Sequence, residues 1–159
     1  MTVVLFRIDE RLIHGQVVIG WGTQLRPSRY IVVDDELAAS DWEQDLYRLG
    51  LPDDAQGEFL TVTACRQRLP ALRDDAIPTV ILTRNVETML ELARDGGMEG
   101  ETVNLGGLHH SDGRVERLPY LHLNSAEASQ LREIAAEGAT VTAQDLPGSR
   151  RVDLETLLS

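Results

Sequence analysis

A chain of 159 residues, 42% of them apolar, suits a single folded domain and is too hydrophobic for wholesale disorder. Its 26 acidic residues against 15 basic ones give a formal charge of −11, which excludes nucleic acid and anionic lipid as general partners. Cys65 is the only cysteine, which excludes an intrachain disulfide or a CxxC redox site, and no apolar run nears the roughly 20 residues that cross a bilayer.

The first residues lack the basic start and small-residue cleavage site of a signal peptide, so an unexported, cytoplasmic protein is expected. In chain order, residues 2–8 (TVVLFRI) read as a strand, and 14–25 as a helix weakened by glycines. Residues 29–33 (RYIVV) read as a second strand, and 39–49 as a helix with Ser40 at its N-cap. A third strand is predicted over 58–63, a short helix over 64–73, and a fourth strand over 78–82 that is apolar enough to be buried on both faces. An amphipathic helix over 85–95 stops at Gly96-Gly97, and a short strand over 102–105 is broken by Gly106-Gly107. Tyr120-Leu121-His122-Leu123 alternates like a strand. Residues 125–137 follow as a helix with Ser125 at its N-cap, then a late strand over 139–142 and a short apolar stretch, 152–158. Strands alternating with helices over short loops predict an α/β fold: one domain over 1–159, an open, mainly parallel sheet with helices on both faces. Such sheets bind ligands at the carboxyl ends of their strands.

The loop after the first strand is therefore the first place to look. It reads Arg7-Ile8-Asp9-Glu10-Arg11-Leu12-Ile13-His14-Gly15-Gln16, dense in functional groups. His14 stands where a helix should begin, and helix N–H groups favour an anion there. Gly15 leaves room for a bulky tetrahedral group. An imidazole nitrogen is a good nucleophile near neutral pH, and an Arg fork suits phosphoryl oxygens. Residue chemistry alone leaves other readings open. His14 could be a capping or surface residue, and Asp9 with Arg11 a surface ion pair worth under about 1 kcal/mol. A metal site would need Asp9 and His14 joined by Asp34 or Asp35, and would imply a metal-assisted hydrolase.

The string from Arg7 to Val17 is similar to the N-terminal signature of the IIB components of mannose/fructose/sorbose-family sugar phosphotransferase systems. Trp21, Ile31 to Glu36, Leu82-Thr83-Arg84-Asn85 and Val103-Asn104-Leu105-Gly106-Gly107 resemble later segments of that family, in the same order. The resemblance implies a phosphotransferase component that accepts a phosphoryl group from a IIA protein. It then passes the group to a sugar held by membrane IIC and IID partners. It implies His14 as the acceptor and Arg11 on the phosphoryl oxygens; Asp9, an acceptor in the same loop, is expected on its chemistry to orient Arg11 or the imidazole. Arg7, Gly15, Gln16, Thr83, Asn104, Gly106 and Gly107 are expected around the site. No cofactor or metal is implied, and a homodimer is left open. A regulatory IIB-like module without transport remains the alternative.

Other chemistry-bearing residues have ordinary readings. Cys65 opens a helix without any phosphate-cradling loop around it, and His122 sits in an apolar strand. His109 and His110 read as loop polarity or as flanking groups beside the phosphorylated histidine, and no GxGxxG or Walker pattern occurs.

Overall fold

The computed structural model describes residues 2–159. In chain order the elements are β1 (Val3–Ile8), a π-helical segment (Gln16–Trp21) running into α1 (Gly22–Leu25), β2 (Arg29–Val33), α2 (Asp35–Ala38) and α3 (Asp41–Arg48). Next come β3 (Gln56–Leu60), α4 (Val62–Asp74), β4 (Thr79–Thr83), α5 (Val86–Ala93) and β5 (Thr102–Leu105). The hairpin β6 (Val115–Leu118) and β7 (Leu121–Leu123), α6 (Ser125–Ala136), β8 (Thr140–Ala143), β9 (Val152–Asp153) and α7 (Leu154–Leu158) complete the described chain.

Seven strands form one sheet in the order β3-β2-β4-β1-β5-β8-β9, parallel except for β9. Side chains alternate across it, as the pleat requires. Ile31, Val33, Ile81, Val103 and Leu105 face one core beneath α4, α5 and α6, while Tyr30, Val32, Val80 and Leu82 face a second beneath the π-helical segment, α2 and α3. The sheet is thus buried from both sides, the predicted α/β architecture. β4 and β5 flank β1, and the connections from β1 and from β4 leave over opposite faces. Strand one therefore ends at a switch point, where the sheet opens a crevice.

Several boundaries differ from the sequence-based reading, each for a local reason. Thr61 ends β3 and accepts the Ala64 N–H, so α4 starts at Val62 rather than 64. The helix predicted over 39–49 is α3, with Ser40 at its N-cap position but without a side-chain cap bond; a separate turn, α2, precedes it outside the predicted range, capped by the Asp34 carboxylate through the Leu37 N–H. The first helix opens at Gln16, two residues later than predicted, because Leu12 takes a left-handed turn with φ of 58°. The chain leaves α5 at Arg94, with ψ of 151°, and turns left-handed at Asp95, with φ of 59°, before the two glycines are reached. β6 has no counterpart in the sequence reading, since Val115-Glu116-Arg117-Leu118 carries no clear alternation.

The N-cap of α6 is Asn124, not Ser125. Its side chain accepts the Glu127 N–H at 2.7 Å, and Glu127 returns a bond to the Asn124 N–H at 2.9 Å, a complete capping box. The same Glu127 carboxylate takes two bonds from Arg114, at 3.1 and 2.8 Å, so this cap also ties down the 109–114 loop. Asn124→Ala should therefore lower stability by about 1 kcal/mol. The loss is read as a shift in the urea midpoint at constant slope; an unchanged midpoint would show that the cap contributes nothing.

Candidate phosphoryl site

Residues 9–14 leave the carboxyl end of β1 and are pinned on both flanks. The Asp9 N–H donates to the Thr83 carbonyl at 2.9 Å, at the end of β4. The Glu10 N–H donates to the Gly107 carbonyl at 3.0 Å, and the Gly106 N–H returns to Ile8 at 2.7 Å. Thr83 and Gly106-Gly107 thus wall the loop through their backbones. Leu12 holds its left-handed conformation because its side chain is wholly buried in the second core. That conformation is costly for a residue with a Cβ, and its burial fixes the turn that presents His14.

Asp9 is fully buried and gathers the site. Its Oδ1 accepts the Arg11 backbone N–H at 3.1 Å and Arg11 Nε at 3.3 Å. Its Oδ2 takes Arg7 at 3.2 Å and stands 3.2 Å from His14 Nε2. The His14 contact is close but poorly aligned for a hydrogen bond, so it is electrostatic first. Burial by itself raises the Asp9 pKa. The polar contact with His14, the charges of Arg7 and His14 and the Arg11 N–H outweigh it, holding the carboxyl well below its usual range.

His14 is 16% exposed, with Nε2 shut in against Asp9. Nδ1 has no hydrogen-bond partner among the described residues. The Gly15 and Gln16 N–H groups, at the opening of the helix, have no backbone acceptor. A Cβ on Gly15 would meet nothing within 4 Å, and its backbone is ordinary right-handed helix. Neither sterics nor conformation within the chain demands glycine there. Arg11, 44% exposed, lies across Asp9 and donates to Gln16 Oε1 at 2.7 Å. It is the exposed cation of the site.

Arg7 is placed differently. It is wholly buried, bonded to Asn104 and Asp9 and to the carbonyls of Gln144 and Asp145, with its guanidinium over the Trp21 ring. It reaches the site through Asp9. A Cβ on Gly106 would collide with this guanidinium, so the glycine is required by Arg7. Asn104 serves the same cation. Sequence reasoning missed Gln144 and Asp145, which lie more than 130 residues from Arg7 in the chain; Trp21, also on Arg7, was noted only as part of the family pattern.

The remaining candidates fall elsewhere. Asp34 is committed to the α2 cap and to Arg84 at 2.8 Å, and no group of three or more His, Cys, Asp or Glu among the described residues is arranged to hold a metal. The hydrolase constellation of Asp9, His14 and Asp34 or Asp35 is therefore not assembled. Cys65 is buried under the sheet, and burial pushes its thiol up to about 12. His109 contacts Glu10, and His122 reaches Glu116 at 3.6 Å.

Comparison with known proteins gives this geometry its context. The family model for the PTS system sorbose subfamily IIB component matches residues 3–159. The chain is 28% identical over 152 residues to the N-acetylgalactosamine-specific phosphotransferase enzyme IIB component 1 of Escherichia coli K12, covering 94% of each. It is 27% identical to the mannose-specific EIIAB component of the same organism, where it spans 49% of a longer protein. The solved IIBSor domain of the sorbose permease from Klebsiella pneumoniae shares the fold, with a TM-score of 0.86, 24% identity, and coverage of 99% of this chain and 97% of that one. An open parallel sheet matched by this family defines a phosphoryl carrier of sugar transport, a phosphotransferase component. The chain belongs to the sorbose subfamily of PTS IIB components.

Removing the Asp9 charge leaves Arg7 buried without its counterion. Asp9→Asn should cost about 3 kcal/mol at neutral pH. The folded carboxyl titrates below its ordinary 3.8, so its contribution is complete above that value and fades as pH falls through the folded pKa. Denaturant unfolding of both proteins from about pH 7 to about pH 2 should show the gap narrowing only below the ordinary carboxylate range. A gap that is constant with pH would mean the loss is steric.

Proposed function

We propose that His14 Nδ1 carries the phosphoryl group, accepted from a phosphorylated IIA protein and handed to a sugar held by membrane IIC and IID partners. The observation that supports this is the pairing of His14 Nε2 with the buried Asp9 carboxylate beside Arg11. With its proton on Nε2, the imidazole offers a lone pair on Nδ1. As the donor N–P bond breaks and the Nδ1–P bond forms, positive charge grows on the ring, and Asp9 is already fixed to meet it. Arg11 releases Gln16 or Asp9 to fork two phosphoryl oxygens, and the Gly15 and Gln16 N–H groups face the third. Open space at Gly15 admits the tetrahedral group. Transfer between two similar nitrogens is nearly balanced, so positioning and charge suffice without a metal.

One domain over residues 1–159 does this work, on the cytoplasmic side of the membrane that holds the permease. No helix among the described residues is long and apolar enough to cross a membrane. The relative in which a IIA unit is joined to a region of this kind supports a IIA protein as the donor. Family membership favours transport over the regulatory reading.

Labelled phosphate delivered by the donor protein should map to His14 alone, as an acid-labile, alkali-stable adduct. Full labelling of His14→Ala would falsify the assignment. Arg11→Lys keeps the charge and loses the fork, so quench-flow transfer should slow by about tenfold or more, equivalent to about 1.4 kcal/mol. A wild-type rate in Arg11→Lys would reduce Arg11 to a surface charge.

A further inference from the structure

The helix α3 turns its apolar stripe outward. Its inner side is held by a polar and an aromatic group. Gln44 donates to the Leu37 carbonyl at 2.7 Å, and the Tyr47 ring packs against Phe59 with centroids 6.1 Å apart. Trp42 is 67% exposed and Leu49, at the C-cap, 83%, with Leu46 between them exposed as well. The three stand at i, i+4 and i+7 and so share one face. Single exposed apolar residues are ordinary, but a contiguous row on one helix face, led by a tryptophan, marks an interaction surface.

Two features define what fits this face. It adjoins the reactive loop: Gly50, directly after Leu49, lies against Ile13, where an added Cβ would stand 3.6 Å from Ile13 Cγ2, and Ile13 precedes His14. It is also rimmed by negative charge. Between Asp35 and Asp54 the chain holds seven acidic residues and one basic residue, Arg48, which pairs with Asp45 at 3.4 Å. Asp41 and Asp45 flank the apolar row on one side and Glu43 on the other. A second copy of the chain would set one acidic rim against another, since a twofold contact brings like surfaces together. Bare lipid is excluded too, because the cytoplasmic leaflet is itself anionic. The complement is an apolar protein surface bordered by Lys and Arg, and cytoplasmic loops of membrane proteins carry that excess of positive charge as a class.

We infer that the outer face of α3 is the surface by which the membrane permease holds this chain. Trp42, Leu46 and Leu49 seat on an apolar patch of the permease, and Asp41, Glu43 and Asp45 meet basic residues around it. The inference rests on the carrier role proposed for His14 and adds which side of the carrier is gripped. The crevice beside Arg11 is lined by other residues, so docking on α3 leaves it open. A tryptophan at the centre of such a contact carries a large share of its affinity, while the charged rim governs the rate of encounter.

The test uses inverted vesicles from cells expressing the cognate IIC and IID proteins, beside vesicles lacking them and liposomes of phosphatidylglycerol. The full chain should sediment with the first vesicles only, and less of it as salt rises. Trp42→Ser and Leu49→Ser, made separately, should each weaken that binding by about tenfold. In sugar phosphorylation by the vesicles, each should raise the KM for the phosphorylated carrier by a similar factor and leave kcat unchanged. Labelling of His14 by the donor protein should keep its wild-type rate in both. A variant that loses the wild-type urea midpoint is replaced by Leu46→Ser. Folded variants that bind the vesicles like wild type overturn the inference, as does equal sedimentation with vesicles lacking IIC and IID or with the liposomes. Slower labelling of His14 with unchanged vesicle binding gives the face to the donor, and self-association abolished by the variants gives it to a second copy; either result overturns it. Wild-type labelling is scored without vesicles. Labelling without vesicle binding rejects the docking face alone, and vesicle binding without labelling rejects the carrier assignment of His14.

Discussion

A guanidinium taken wholly out of water governs the site end of this molecule. Burying a charge costs several kcal/mol unless the surroundings replace its hydration. Four of the five Arg7 N–H groups are matched, by Asn104, Asp9 and the carbonyls of Gln144 and Asp145, and Trp21 covers a face of the fork. These partners come from the ends of β1, β5 and β8 and from the π-helical segment. One cation therefore draws four separate stretches of chain into register, and the loop bearing His14 inherits its position from that arrangement.

The loop itself is an example of strain held in place by packing. Leu12 turns left-handed, and the turn persists because its side chain is sealed into the second core while Asp9 and Glu10 are bonded to the flanking strand ends. Asp9 then divides its two oxygens among a buried arginine, an exposed arginine and a histidine. The arrangement grades exposure: Arg7 is wholly buried, Arg11 is 44% exposed, and His14 sets Nε2 against Asp9 while Nδ1 has no partner among the described residues.

The parts of the site that are contiguous in the chain were legible in the sequence. Arg7 to Gln16 is an unbroken run, and its position after an apolar strand fixes its place in a parallel sheet. Strand alternation and helix stops carried the fold class for the same reason, since each rests on neighbouring residues. What escaped was non-local. Nothing near Gln144 or Asp145 hints that their carbonyls receive an arginine from the first strand. The fixed, buried role of Arg7 was equally hidden, because an arginine inside a strand reads as a face-edge residue until its partners are known. Asn124 was overlooked as a cap because Ser125 offered a plausible one a residue later, and only the return bond from Glu127 decides between them.

Cys65 lies at the foot of α4, sealed against the sheet, with its thiol driven up to about 12. Alkylating reagents attack thiolate, so in the native protein this sulfur is inert both by access and by ionisation. With no second cysteine in the chain, any modification must report the moments when α4 leaves the sheet. The protein thus carries a built-in clock for the opening of its larger core, readable by mass without any label. Its rate follows the population of the opened state when reclosing is fast, and the opening rate itself when reagent outruns reclosing.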